Sequence, residues 1–449
     1  MSSYSCPALV VAAPSSGTGK TTVVAALARY FTQQGKNVRV FKTGPDFIDP
    51  QFLALASKAP VYQLDFWMCG EAHCRNLLAQ ASQEADLILI EGVMGMFDGQ
   101  CSSADIAAAF GIPILAVIDA GAMAQTFGAI AHGLASYRQD VDVFGVIANR
   151  VGSERHAEML QESLRPPLTF CGWLPKDMDL ALPERHLGLV QASELDDIEA
   201  RLDHAASVIA ASSDIPLPKP IAFDLHDDPC ALTEVQKTAL SGVTVAVAKD
   251  NAFLFLYQAN LELLEALGAD LVYFSPLTGT ALPCCDALYL PGGYPELHLD
   301  ALHANQALIT QIQQHVQAGK PCVAECGGML YLNKTLTAVV APEGESETAR
   351  LNTSPVAMCG VLNAHSRMQP KLAALGIVEA AFELGTLRGH TFHYSMTSSE
   401  EEVLTQPVSQ YGRKTDPVWT KGATTASYIH WYFPSNPDVV VWLFTRKAA

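Results

Sequence analysis

The stretch from residue 8 to residue 34 constrains the fold more than any other. Ala8–Pro14 is a nearly unbroken apolar run of strand length, and from Thr21 to about Gln34 the residues Val24, Leu27, Ala28 and Phe31 share one helical face, with Gly35 as a stop. Between strand and helix stands Ser15-Ser16-Gly17-Thr18-Gly19-Lys20-Thr21-Thr22. A glycine-rich turn that opens a helix lets backbone N–H groups converge on an anion, and the helix N-terminus adds a favourable dipole. In such a phosphate-binding loop Gly17, Thr18, Gly19 and Thr22 form the cradle. Lys20 reaches the β- and γ-phosphates of ATP, and Thr21 is placed to ligate Mg²⁺. The strict pattern has Gly where Pro14 stands, so this loop is a variant.

Further apolar runs at Val38–Phe41, Asp86–Glu91, Pro113–Asp119 and Val143–Ala148 alternate with amphipathic stretches. Continuous apolar strands alternating with helices predict a parallel α/β sheet covered on both faces. Glu91 closes one of these runs, and an acid at the C-terminal end of a parallel strand sits where nucleotide-bound Mg²⁺ is held. Lys42-Thr43-Gly44-Pro45-Asp46-Phe47-Ile48-Asp49-Pro50 follows another, packing one Lys and two Asp into a short loop.

The texture changes from Ala211 to about Leu240, where three prolines fall close together, and this stretch reads as a linker. The expected organisation is therefore residues 1–210, a linker at 211–240, and a second unit at 241–449, in keeping with about 200 residues per domain. The second unit opens another α/β series, with strands at Val243–Ala248, Leu271–Phe274, Ala287–Leu290 and Pro321–Glu325 and a helix over Asn260–Leu267. The last strand runs into Cys326-Gly327-Gly328 and then a helix-like stretch. A cysteine on a strand-to-helix elbow is presented at the sheet edge beside a helix N-terminus, which favours the thiolate. Gly292, Gly293 and Gly327 offer backbone N–H groups for an oxyanion. His390, His393 and His430 are the candidate bases, with His430 favoured because it closes the strand-like run Ala426–Ile429.

Composition narrows the function. The formal net charge is −18, which argues against nucleic acid and anionic membranes as partners. No apolar run approaches the roughly 20 residues that span a bilayer. The first seven residues carry no basic segment, so a cytoplasmic protein is expected. The eleven cysteines are scattered, with no Cys-x-x-Cys pair, as expected of free thiols in a reducing compartment.

Taken in order, these segments resemble the cobyrinic acid a,c-diamide synthase family, glutamine amidotransferases of corrin biosynthesis. The likeness extends through Asn149-Arg150-Val151-Gly152-Ser153, Arg155-His156, Leu182-Pro183-Glu184-Arg185-His186-Leu187-Gly188-Leu189, Asp250-Asn251-Ala252-Phe253 and Pro291-Gly292-Gly293-Tyr294-Pro295-Glu296. It closes with Ala324–Gly328, Arg388–Ser395 and Ala426–His430. The resemblance implies a P-loop NTPase-like domain followed by a class I (triad-type) glutamine amidotransferase-like α/β domain. Cys326 would attack glutamine with His430 as base, and ammonia would amidate carboxylates of a tetrapyrrole acid activated by ATP and Mg²⁺. It further implies that Thr21, Glu91 and Asp46 hold the metal and that Lys42, Asp46, Asp49, Asp98 and Arg150 line the phosphate and substrate region. Asn149 would lie near the adenine, and Arg150, Arg155, Arg185 and His186 would offset a polycarboxylate. The expected partners are ATP, L-glutamine and the tetrapyrrole polycarboxylate, in a monomer or homodimer.

The chain departs from the family pattern at three places. It has Leu53 where a His is usual, Gln63-Leu64-Asp65 for Asn-Leu-Asp, and Tyr432 where a second His follows the base. The expectation at the base is thus a Cys–His dyad or an orienting group outside the usual position. The rival readings are a sister enzyme acting on hydrogenobyrinic acid, a nickel sirohydrochlorin or a later corrin acid, and a dethiobiotin synthetase. A P-loop switch ATPase with an inert second domain is a further alternative of a different class.

Overall fold

The computed structural model describes residues 3–177, 180, 184–185, 188–189, 191–213, 215–225, 228, 230–279, 281–340, 351–352 and 354–447. The chain divides into two compact units, Met1–Pro229 and Cys230–Ala449.

The first unit begins with β1 (Ser3–Cys6), β2 (Ala8–Ala12), α1 (Lys20–Gln33), β3 (Val38–Thr43), α2 (Asp49–Ser57), β4 (Tyr62–Leu64), α3 (Glu71–Ala81) and β5 (Leu87–Glu91). It continues with α4 (Ser103–Phe110), β6 (Ile114–Asp119), α5 (Thr126–Ser136), β7 (Val143–Val151), α6 (Glu154–Ser163), β8 (Thr169–Pro175), the short pair β9 (Glu184–Arg185) and β10 (Gly188–Leu189), α7 (Ile198–Ser212) and β11 (Ile221–Asp224). Seven strands form one parallel sheet in the order β4-β3-β5-β2-β6-β7-β8. Every residue of β2 and of β5 is buried, as a sheet covered by helices on both faces requires. Chain order reverses around β2, so the C-terminal ends of β2, β3, β5, β6 and β7 open onto one crevice. Within the segment read as a linker, α7 runs to Ser212, and β11 pairs antiparallel with β1.

The second unit has β12 (Thr244–Ala248), α8 (Gln258–Ala266), β13 (Asp270–Phe274), β14 (Ala287–Leu290), α9 (Leu299–Ala304), α10 (Gln306–Gln317), β15 (Cys322–Glu325) and α11 (Gly327–Leu332). Its main sheet runs β13-β12-β14-β15, then Thr424–Ser427, Val418–Lys421 and Glu402–Thr405, and is parallel as far as Thr424–Ser427. Alternate residues of its strands serve two cores. Ala246, Leu288, Leu290 and Ala324 face one, and Val245, Val247, Tyr289 and Val323 face the other.

The run read as one strand ending in His430 is two. Thr424–Ser427 belongs to the main sheet, while Ile429–Tyr432 pairs antiparallel with Gly385–His393 in a separate four-stranded sheet. The chain changes sheet at Tyr428, which is buried. The sequence from 341 to 354 reads as a polar surface loop, and of it residues 341–350 and 353 lie outside the described residues.

Candidate active sites

In the first unit β2 delivers the chain into the glycine-rich turn, and Gly19 caps α1 with φ 86° and ψ 27°. Only glycine takes up that left-handed geometry without strain, and space imposes the same choice. A β-carbon on Gly19 would lie 2.2 Å from Nδ2 of Asn149. Asn149 itself donates to the Thr18 carbonyl at 2.7 Å. Ser16, Gly17, Gly19, Lys20, Thr21 and Thr22 all border a cavity of about 600 Å³.

Lys20 donates from Nζ to the carbonyls of Ser15 (3.0 Å) and Met94 (2.7 Å). Burial, then the neighbouring charge of Lys42, pulls its pKa down to about 8. Lys42 is 2% exposed. Its Nζ stands 2.7 Å from Asp49, 3.1 Å from Glu91 and 3.7 Å from Asp46. Burial opposes its charge, but Asp49, Glu91 and Asp46 outweigh burial and hold the ammonium protonated. The same crowding, burial first and then Asp49, pushes Asp46 well above the usual carboxylate range. Burial likewise raises Glu91.

Three carboxylates around one ammonium leave a surplus of acid. Thr21 Oγ1 donates to Glu91 Oε1 at 2.7 Å, and Glu91 Oε2 is buried without a hydrogen-bond partner among the described residues. A hydroxyl beside a carboxylate with an unused oxygen is a hard-oxygen donor set, and it fits Mg²⁺.

The remaining candidates divide. Asp46, Asp49, Asn149 and Arg150 border the cavity with Lys42 and Glu91. Arg150, held at φ 59°, already pairs with Asp119 at 2.5 Å. Asp98 is exposed, its carboxylate accepts from Gly95 N at 3.0 Å, and its charge bears on Lys20. Arg155 is exposed and pairs with Glu158, and His156 contacts the Met123 carbonyl at 2.7 Å. Neither lines the cavity, and both sit on α6. The side chains of Arg185 and His186 lie outside the described residues. Leu53 is wholly buried in α2, and Gln63 Nε2 reaches the Asp46 carbonyl at 3.4 Å. Among the cavity residues that escaped the sequence reading are Lys176 and Asp177, just past β8. Their signal was the same strand-end rule that singled out Glu91.

In the second unit β15 runs into Cys326, whose φ of 41° and ψ of −105° are rare for a non-glycine residue. Strain of this kind costs about 1–3 kcal/mol and concentrates at functional sites. Cys326 N donates to the Ser427 carbonyl at 2.7 Å, tying the elbow to the neighbouring strand. The position of a β-carbon on Gly327 is 2.9 Å from Gly293 N. The equivalent position on Gly292 is 2.1 Å from Cε1 of His430. The turn after β14 therefore touches the cysteine elbow at one glycine and the His430 ring at the next.

The electrostatics correct one expectation. Instead of a resting thiolate, burial and then the charge of Glu296 push the Cys326 thiol up, against the lowering effect of the Gly327 N–H. Burial, then His390 and His393, hold His430 well below the usual imidazole range. A neutral thiol can attack only if a base takes its proton as sulfur forms the new bond, and a neutral imidazole can serve as that base. His393 is otherwise engaged. It contacts the Ser395 carbonyl at 2.9 Å and Asp416 at 3.3 Å, and it stacks on Tyr428 with centroids 3.6 Å apart. All cysteines are free thiols.

Comparison with known proteins matches both halves. Residues 9–190 match the family described as the CobQ/CobB/MinD/ParA nucleotide binding domain, and residues 244–438 the CobB/CobQ-like glutamine amidotransferase domain. The chain is 53% identical to a hydrogenobyrinate a,c-diamide synthase of Pseudomonas aeruginosa, over 98% of this chain and 97% of that one. It is 54% identical to the protein of the same description from Stutzerimonas stutzeri, over 97% and 98%. A cobyrinate a,c-diamide synthase of Herminiimonas arsenicoxydans is 44% identical over 98% and 97%. Among the described residues no helix is long and apolar enough to cross a membrane.

Proposed function

The chain belongs to the a,c-diamide synthase family of glutamine-dependent, amide-forming ligases, and on that premise we propose that it amidates the a and c acetate carboxylates of hydrogenobyrinic acid. The observation that carries the choice of acid is the gap in likeness. Identity is 53–54% to two relatives named for hydrogenobyrinate and 44% to the Herminiimonas relative named for its cobalt-bearing counterpart, each over 97–98% of both chains.

In this reading the first unit binds ATP. A carboxylate is a poor electrophile, so an acetate oxygen of the substrate attacks the γ-phosphorus and ADP leaves, forming an acyl phosphate. Lys20 exchanges its two carbonyl partners for phosphate oxygens, and Lys42 neutralises charge on the group in transfer. Thr21, Glu91 and Asp46 would hold Mg²⁺, which when bound offsets charge on the β- and γ-phosphates. Asn149 contacts the adenine side, and Arg150 the substrate side.

The second unit supplies ammonia. Cys326 Sγ attacks the side-chain carbonyl of glutamine as His430 accepts the thiol proton. Backbone N–H groups of Gly292, Gly293 and Gly327 receive the oxyanion. His430 then protonates the leaving nitrogen, ammonia departs, and water cleaves the thioester to glutamate. Ammonia attacks the acyl carbon, phosphate leaves, and an amide remains.

The test is mass spectrometry of hydrogenobyrinic and cobyrinic acids incubated with enzyme, ATP, Mg²⁺ and amide-¹⁵N glutamine. Two labelled nitrogens on hydrogenobyrinic acid at the higher rate support the proposal. Preference for the cobalt form shifts the substrate. Glutamine hydrolysis without labelling of either acid rejects both.

A further inference from the structure

His390 lies directly opposite His430 in the antiparallel pairing of Gly385–His393 with Ile429–Tyr432. Directly opposed residues project to the same face of a sheet. The two rings stack, with centroids 4.9 Å apart and planes inclined by 21°. His390 is itself held. Its Nδ1 shares a buried 2.9 Å hydrogen bond with the hydroxyl of Tyr257. The Tyr257 ring in turn meets Tyr432 edge-on at 5.9 Å. The remaining surroundings of His430 are equally close, with Gly292 leaving no room for a β-carbon and Phe255 at 5.9 Å between centroids. His430 thus occupies a slot with backbone on one side and a pinned aromatic ring on the other.

We propose that His390 is a positioning residue for the glutaminase half-reaction: its ring, fixed by Tyr257, holds the His430 ring in the orientation that takes the thiol proton from Cys326. This rests on the reading of His430 as the base of that half-reaction. In triad enzymes an acid fixes the imidazole by a hydrogen bond. Here Tyr432 stands where such a residue is sought, with its ring edge-on to Tyr257, and the stacked His390 ring offers a second means of fixing the imidazole, across the strand pair. Burial keeps His390 neutral, with its pKa brought down to about 3.

The test measures steady-state glutamine hydrolysis, with a melting curve for each variant. His390→Asn keeps a polar partner for Tyr257 but removes the ring. It is expected to lower kcat about 100-fold and leave KM within about twofold. His390→Phe combined with Tyr257→Phe restores a stacked ring and strands no hydroxyl, and it is expected to recover most of the loss. A wild-type kcat in His390→Asn overturns the proposal, and so does a double variant no better than His390→Asn at equal melting temperature. If His390→Asn does not fold, Tyr257→Phe alone decides, a lowered kcat at unchanged KM supporting the proposal and an unchanged kcat overturning it. Cys326→Ala is run alongside. Persistent glutamine hydrolysis in that variant removes the underlying glutaminase reading, a different result from failure of His390 alone.

Discussion

The β-carbon that Gly292 lacks would stand 2.1 Å from Cε1 of His430 and 2.8 Å from its Nδ1. Turn and imidazole fill the same slot, so Gly292→Ala must displace the ring. The expected outcome is a fall of about 100-fold in glutamine hydrolysis. Amidation driven by free ammonia should be unchanged. Rates with the two nitrogen sources, measured on the same preparation, check this. An equal fall in both would place Gly292 outside the glutaminase.

Removing the nucleophile should divide the two activities more sharply. Cys326→Ala is expected to abolish glutamine-driven amidation and leave the ammonia-driven reaction intact. Loss of both activities would make Cys326 structural.

In the first unit the buried ammonium of Lys42 serves three carboxylates at 2.7, 3.1 and 3.7 Å. Lys42→Met removes it and leaves acids buried without compensation, a change that costs about 3–5 kcal/mol in comparable cases. The expected result is a lower denaturation midpoint together with loss of amidation from either nitrogen source. Glutamine hydrolysis at the wild-type rate in the same variant would localise the damage. Unchanged stability would mean that the acids lose their charge when the lysine is gone.

Glu296 gives a pH dependence whose sign can be worked out. Burial raises its carboxyl from 4.5 to about 7 in the folded chain. Below its unfolded value the acid is neutral in both states and carries no penalty. Between 4.5 and about 7 the unfolded chain ionises the carboxyl while the folded chain keeps its proton, so stability falls across that window and levels off above it. Glu296→Gln should therefore gain stability over wild type as pH rises through that window and show no advantage below it. The same charge pushes the Cys326 thiol up, so alkylation of Cys326 by iodoacetamide should be faster in Glu296→Gln above neutral pH. Identical alkylation profiles would separate Glu296 from the thiol.

The parts of the molecule legible in the sequence are those written by local rules. The parallel strands showed as apolar runs because both faces of β2 and β5 are buried, and the turns at Gly17–Thr22 and Cys326–Gly328 showed because each joins a strand to a helix. Glu91 and Lys42 were readable as strand-end residues. What stayed hidden depends on distant pairings. Nothing local to Tyr428 announces that the chain changes sheets there. Nothing near His390 says that it will oppose His430, forty residues on, or that Tyr257 will hold it. The neutral resting thiol was hidden for a similar reason. A helix N-terminus is visible in a sequence, but the burial that outweighs it is a property of the whole core. Asp98 entered as a site residue only through the family resemblance, and that its carboxylate accepts from the Gly95 N–H is visible only in the fold.

The approach of Asn149 to Gly19 has a bearing on how such a chain can vary over time. The amide that secures the Thr18 carbonyl occupies the volume any side chain at position 19 would need. A larger residue at 19 is therefore admissible only after position 149 has shrunk, and shrinking 149 first releases the turn it secures. Each single step passes through a weaker protein. The two positions, 130 apart in the chain, should drift together or not at all.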